Sequence, residues 1–171
     1  MIRAALLALL LALLLALPVQ AAELAPFGRG SFAALRAEAA GAPLVVHFWA
    51  LSCAPCLAEL PGWARLARAH PGMRLVLVNT DPPEAEPQVK RMLDRMGVGR
   101  LRSLIFADRF TARLRYEVDP SWQGELPRTD LVAPDGRVTP VLGMLARPAL
   151  EAWLAGRPLP ASGAAEDHSA H

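Results

Sequence analysis

Apolar and polar positions change their spacing from segment to segment along this chain, and each spacing predicts an element. Leu44 to Trp49 is an apolar run of β-branched and aromatic residues broken only by His47, and its length suits a buried strand. Upstream, Phe32 to Ala40 has helical spacing with Ser31 as N-cap, and Gly41-Ala42-Pro43 separates it from the strand. From Cys53 to Ala69, Leu57, Leu60, Ala64 and Ala67 recur at steps of three and four, which predicts a helix, kinked at Pro61. "MRLVLVNT" is a second strand-like run, and Glu84 to Met96 is helical again, with Val89, Leu93 and Met96 on one side.

The second half reads differently. Leu104-Ile105-Phe106 is a short strand or buried loop, and Thr111 to Tyr116 a short helix. "RTDLVAPDGRVTPVLGML" holds two strand-like runs around Pro134-Asp135-Gly136, a hairpin signal. Pro148 to Ala155 closes the series as a helix with proline in its first turn and Gly156 past its end. A βαβ half followed by a ββα half is an α/β order that packs helices on both faces of a mixed central β-sheet.

The ends of the chain set its organisation. Met1-Ile2-Arg3, an apolar run of 14 residues from Ala4 to Leu17, and Pro18-Val19-Gln20-Ala21 predict a secretory signal peptide over 1–21. The run is short of the roughly 20 residues a membrane span needs, so cleavage is favoured over an uncleaved anchor. No cysteine lies near the cut for lipid attachment, and the expected location is the periplasm. Residues 157–171 are rich in Pro, Ala, Gly and Ser and predict a disordered C-terminal tail, leaving one domain over 22–156. In that tail Glu166, Asp167, His168 and His171 are either loose metal ligands or a solvated terminus. Lys and Arg total 18 against 16 Asp and Glu, with no basic run interleaved with aromatics, which excludes nucleic acid as a partner.

Candidate chemistry rests on two cysteines, Cys53 and Cys56, three residues apart at the predicted strand-to-helix junction. A structural staple gains from the loop it closes, and this one closes almost nothing. A closed zinc site wants about four ligands, and only two thiols are here. The spacing does suit reversible redox chemistry: at a helix N-terminus unpaired N–H groups and the macrodipole favour a thiolate at Cys53. Cys56, one turn on and facing the sheet, is placed to resolve the mixed disulfide that Cys53 forms. Ala54 and Pro55 add no charge, so the depression of the Cys53 pKa is expected to be moderate.

"HFWALSCAPCLAELP", with Phe48-Trp49-Ala50, Cys53-Ala54-Pro55-Cys56, Glu59 and Pro61, resembles the active-site segment of the thioredoxin superfamily. The likeness is greatest to its extracytoplasmic TlpA/ResA/CcmG-like thiol-disulfide oxidoreductases, and Leu126-Pro127-Arg128-Thr129 followed by Asp135-Gly136 resembles their cis-proline loop and hairpin. The resemblance, running from about Leu44 to Ala155, implies a thioredoxin-like fold with a cis Pro127 against the cysteine pair and a preceding peptide that pairs with client backbone. It makes 81–110 an insertion within the domain. It implies an enzyme without metal or cofactor that reduces disulfides in protein clients, apocytochrome c or copper-site proteins, and is recharged by a membrane-embedded thiol reductant. Trp49, Pro55 and Glu59 join the cysteines as supporting residues, Glu59 either tuning the thiols and assisting proton transfer or standing as a solvated helix glutamate.

Four positions depart from the family pattern. Ser52 replaces a tryptophan beside the first cysteine. His47 stands where thioredoxins carry a buried carboxylate, as a proton relay near neutral pH or as a core histidine bonded to backbone. Asp130 interrupts an apolar run, facing solvent or pairing with an arginine, and Glu125 is a rim charge or loop polarity. Two rival functions stay open at this level: a disulfide-forming oxidant, and a Cu(I) metallochaperone using Cys53 and Cys56 with help from His47 or the tail histidines.

Overall fold

The computed structural model describes residues 24–159; the predicted signal peptide and all but the first three residues of the predicted tail lie outside the described residues. Six strands form one sheet: β1 (Leu24–Phe27), β2 (Leu44–Trp49), β3 (Arg74–Asn79), β4 (Ser103–Phe106), β5 (Arg128–Val132) and β6 (Val138–Leu142). Their order across the sheet is β1-β4-β3-β2-β5-β6, with the first four mutually parallel and β5 and β6 antiparallel. Five helices connect them: α1 (Ser31–Glu38), α2 (Ala54–Ala69), α3 (Glu86–Arg95), α4 (Thr111–Val118) and α5 (Arg147–Leu154).

The apolar runs explain the layering. All six residues of β2 and five of six in β3 are buried, as expected of central parallel strands covered on both faces. Alternation along β2 sends Val45 and Trp49 to one core with Cys56, Leu60 and Trp63 of α2, Val89 and Leu93 of α3, and Leu150 of α5. Val46 and Phe48 point into the other, with Phe32 and Leu35 of α1, Leu114 of α4, and Trp122. Helices therefore cover both faces, α2, α3 and α5 on one and α1 and α4 on the other.

Several boundaries differ from the sequence expectation for identifiable reasons. β1 escaped the apolar pattern because only Leu24 and Phe27 face the core; its Pro26 is tolerated because this strand is the sheet edge. Ser31 is the first residue of α1 and not its N-cap: Gly30 holds that place at φ 76°, where glycine carries no steric penalty. The Ser31 hydroxyl instead accepts from the Gly28 N–H at 2.9 Å. The helix expected from Glu84 opens as a 3₁₀ turn, Pro83–Ala85, and becomes α-helical at Glu86, with Pro87 in its first turn where no donor is needed. α2 covers the expected span as one 16-residue helix with Pro61 inside it, beginning one residue later because Cys53 is its N-cap. The stretch after β3 contributes β4 to the sheet between β1 and β3.

Leu77, fully buried at the centre of β3, tests this packing. Leu77→Ala is expected to cost about 2–5 kcal/mol in urea unfolding, and a loss below about 1 kcal/mol would contradict a close-packed central strand.

Candidate active site

The cysteine loop springs from the end of β2. Ala50, Leu51 and Ser52 turn the chain, the Cys53 N–H bonds the Ala50 carbonyl at 3.1 Å, and Cys53 becomes the N-cap of α2 in an extended conformation. Its sulfur accepts from the Cys56 N–H at 3.2 Å, and its carbonyl from the Leu57 N–H at 3.0 Å. One of the free N–H groups at the start of α2 is thus already directed at Sγ, the arrangement that stabilises a thiolate. Pro55 sits in the first turn, where its missing donor costs nothing. Cys53 and Cys56 are joined as a disulfide with Cα atoms 5.2 Å apart; Cys56 is wholly buried in the core and Cys53 only partly. Only one of the two sulfurs is therefore open to a partner.

Two neighbouring segments hold this loop. The Asp81 carboxylate accepts from the Leu51 N–H at 2.8 Å and from the Asn79 side-chain amide at 2.9 Å, while the Asn79 amide oxygen accepts from the Asp81 N–H at 3.0 Å. The Thr80 N–H donates to the Trp49 carbonyl at 2.8 Å. On the other side the Leu126-Pro127 peptide is cis, and the register of Arg128 opposite Phe48 sets Pro127 beside the end of β2. The Pro127 carbonyl accepts from the Gly143 N–H at 2.8 Å, tying the cis peptide to the segment after β6. Asn79, Asp81 and Gly143 were not singled out from sequence, since their partners lie 2 to 30 residues away or farther; the polar Asn-Thr-Asp run closing β3 was the available signal.

His47 is fully buried on the cysteine side of the sheet. Its Nδ1 lies 3.0 Å from the Thr129 hydroxyl, its ring is 4.8 Å from that of Trp63, and Nε2 has no protein partner. Burial drives its pKa down to about 3, which favours the neutral ring near pH 7. The partner expected for a core histidine also changes, from backbone to a threonine side chain. Trp49 is wholly buried and its Nε1 has no protein partner, which places it in the core.

Glu59 is no solvated helix glutamate. One turn after Cys56, its Oε1 accepts from the Leu145 N–H at 2.9 Å, while Oε2 is buried without a protein partner. Burial pushes its carboxyl above the usual range, the Leu145 bond opposing. With Trp63, Leu66, Met144 and Leu150 it lines a cavity of about 210 Å³ between α2 and α5.

The remaining departures resolve differently. Asp130 is fully buried and pairs with Arg128, at 2.8 Å from Nε and 3.3 Å from Nη2. Arg128 Nη2 also reaches Asp119 at 3.0 Å, and its guanidinium lies 4.8 Å from the Trp122 ring centre. Glu125 serves its own loop: its carboxylate accepts from the Gln123 N–H at 3.1 Å and its carbonyl from the Trp122 indole at 3.0 Å. Ser52 is exposed, leaving Cys53 without an aromatic neighbour at that position. Among the described residues no three His, Cys, Asp or Glu side chains gather, and His168 and His171 lie outside them.

No protein-family model matches the chain, and no curated protein matches it. Solved structures do. A secreted Mycobacterium tuberculosis disulfide oxidoreductase homologous to E. coli DsbE is 22% identical over 70% of this chain and 85% of its own, with a TM-score of 0.57. StoA from Bacillus subtilis is 22% identical over 67% and 83%, with a TM-score of 0.52. The exposed lipoprotein thioredoxin Etrx1 of Streptococcus pneumoniae is 18% identical over 71% and 89%, at 0.58. The fold is therefore thioredoxin-like, a mixed sheet with helices on both faces.

A buried histidine with a depressed pKa makes stability depend on acid. Below about pH 6.5 the unfolded chain takes up a proton that folded His47 refuses until about pH 3, so stability present above that window is lost as pH falls through it. Unfolding free energies of the wild type from urea titrations should fall across it by up to about 1.4 kcal/mol per pH unit more steeply than those of His47→Asn. Equal slopes would show that His47 titrates normally.

Proposed function

We propose that this protein is an extracytoplasmic thiol-disulfide oxidoreductase that reduces disulfides in protein clients. The observation that carries the reading is the Cys53–Cys56 disulfide at the head of α2, one sulfur buried and the other partly open, at the end of the sheet where the cis Leu126-Pro127 peptide also lies. The fold, shared with a secreted disulfide oxidoreductase and an exposed lipoprotein thioredoxin, and the signal-peptide-like sequence of 1–21 support the location.

In the reduced protein the Cys53 thiolate attacks one sulfur of a client disulfide. A bond forms from Cys53 to that sulfur, and the client's other sulfur leaves as a thiolate. Cys56 then gives up its proton and attacks Cys53 Sγ, breaking the mixed disulfide, so that the client departs with two thiols and the protein holds the Cys53–Cys56 bond. Two electrons and two protons from a membrane-embedded thiol reductant restore it. Glu59, on the helix face of Cys56 and with its carboxyl pushed up by burial, is suited to take the Cys56 proton; neutral His47 is not. Apocytochrome c and copper-site proteins are the client classes this reading favours, both carrying cysteine pairs that must be reduced before they bind their groups.

Cys56→Ser should accumulate mixed disulfides with clients through Cys53, and Cys53→Ser should form none. Mass spectrometry of the trapped species identifies the client class; a pair that equilibrates with glutathione at or above the glutathione potential would instead indicate an oxidant. For Glu59→Gln, release of the mixed disulfide should slow by about 10²-fold or more near pH 7, the usual value of a positioned general base. First attack by Cys53 should change little, and equal slowing of both steps would remove Glu59 from proton transfer.

A further inference from the structure

The segment from Asp119 to Leu126 has no regular secondary structure after its first residues, yet it delivers the cis Pro127. Apart from the Trp122 N–H on the Asp119 carbonyl at 3.0 Å, the hydrogen bonds within it involve side chains. Arg128, 3% exposed, reaches back across it: Nη2 bonds Asp119 at 3.0 Å where the segment begins, and the guanidinium packs 4.8 Å from the Trp122 ring at its middle. Trp122 is itself pinned, its ring 4.8 Å from that of Phe48 and its indole N–H on the Glu125 carbonyl at 3.0 Å. Asp130, fully buried two residues on, holds the other edge of the guanidinium through Nε at 2.8 Å and Nη2 at 3.3 Å, fixing its plane.

We infer that Asp119, Trp122, Arg128 and Asp130 form a clamp, on the sheet face opposite the cysteines, that positions the Leu126-Pro127 peptide for a client backbone. Among the described residues Leu126 has no backbone hydrogen-bond partner, so its N–H and C=O are available to an extended client strand. Alternation along β5 connects the two faces: Arg128 and Asp130 enter the clamp core, while Thr129 meets His47 on the cysteine side. Asp119 is the separable member. Its side chain is 24% exposed at the edge of the clamp, and removing its charge leaves the buried Arg128–Asp130 pair whole. Asp119 is thus a positioning residue for client recognition with no part in the thiol chemistry. The inference rests on the oxidoreductase reading for its client and on the geometry alone for the clamp.

Asp119→Asn and Asp119→Glu test it in the full chain. Amide hydrogen exchange over 121–126 should quicken in Asp119→Asn and return toward wild type in Asp119→Glu; unchanged exchange overturns the clamp. With a synthetic peptide closed by a Cys-x-x-Cys disulfide, the second-order rate of reduced Asp119→Asn should fall about tenfold, the equivalent of about 1.4 kcal/mol. Bis(hydroxyethyl) disulfide has no flanking backbone to pair, so its rate should change by less than about twofold, and the equilibrium potential of the cysteine pair should stay fixed. Faster exchange with an unchanged peptide rate, or a parallel loss on both disulfides, overturns the role in client recognition. A wild type that reduces neither disulfide refutes the oxidoreductase reading and the client role with it, while the exchange measurement still decides the clamp.

Discussion

A helix N-terminus fixed at the end of the most buried strand is the constraint on which the site depends. Every residue of β2 is buried between two cores, so its last residue has almost no freedom, and the chain leaves it through a turn held by the Asp81 carboxylate and Thr80. α2 must then begin where Cys53 caps it, and its amphipathic packing through Leu60, Trp63 and Leu66 buries Cys56 against the sheet. The unequal exposure of the two sulfurs is thus a consequence of packing. In the proposed reaction, attack falls to Cys53 and resolution to Cys56 because the core leaves only Cys53 partly open.

The same core also perturbs two ionisable side chains, His47 and Glu59. His47 and Glu59 both face the cysteine side of the sheet, but burial moves their pKa values in opposite directions: it disfavours the cationic form of one and the anionic form of the other. His47 is left neutral with its Nδ1 committed to Thr129. Glu59 keeps one oxygen on the Leu145 N–H and the other buried without a protein partner, its carboxyl raised by burial.

Much of this was legible in the chain. Long apolar runs with matched flanking residues gave β2, β3, α2 and the β5–β6 hairpin, and the cysteine spacing with Pro55 pointed to the Cys53–Cys56 pair at the head of α2, because these signals are local. β1 was not legible, since four residues with proline among them form a strand only when β4 supplies a partner. Asp130 read as an interruption in an apolar run for a related reason: its compensation, Arg128, is two residues away, but the Asp119 and Trp122 contacts that complete it come from a loop whose path no local pattern encodes. His47 was visible as an oddity, and only its packing against Trp63 and the hydroxyl of Thr129 shows why it stays uncharged.

A fully buried Arg128–Asp130 pair in so small a domain is not explained by stability. Desolvating two charges commonly offsets their attraction, and an apolar pair of similar volume often serves a core as well or better. What an ion pair adds is direction: a guanidinium with its plane fixed by one carboxylate can hold a second carboxylate and an aromatic face at set positions, which aliphatic side chains cannot do. Placed immediately after Pro127, that directionality reaches the irregular segment that leads into the cis peptide. The opposite face of the strand, where Thr129 meets His47, carries none of that charge.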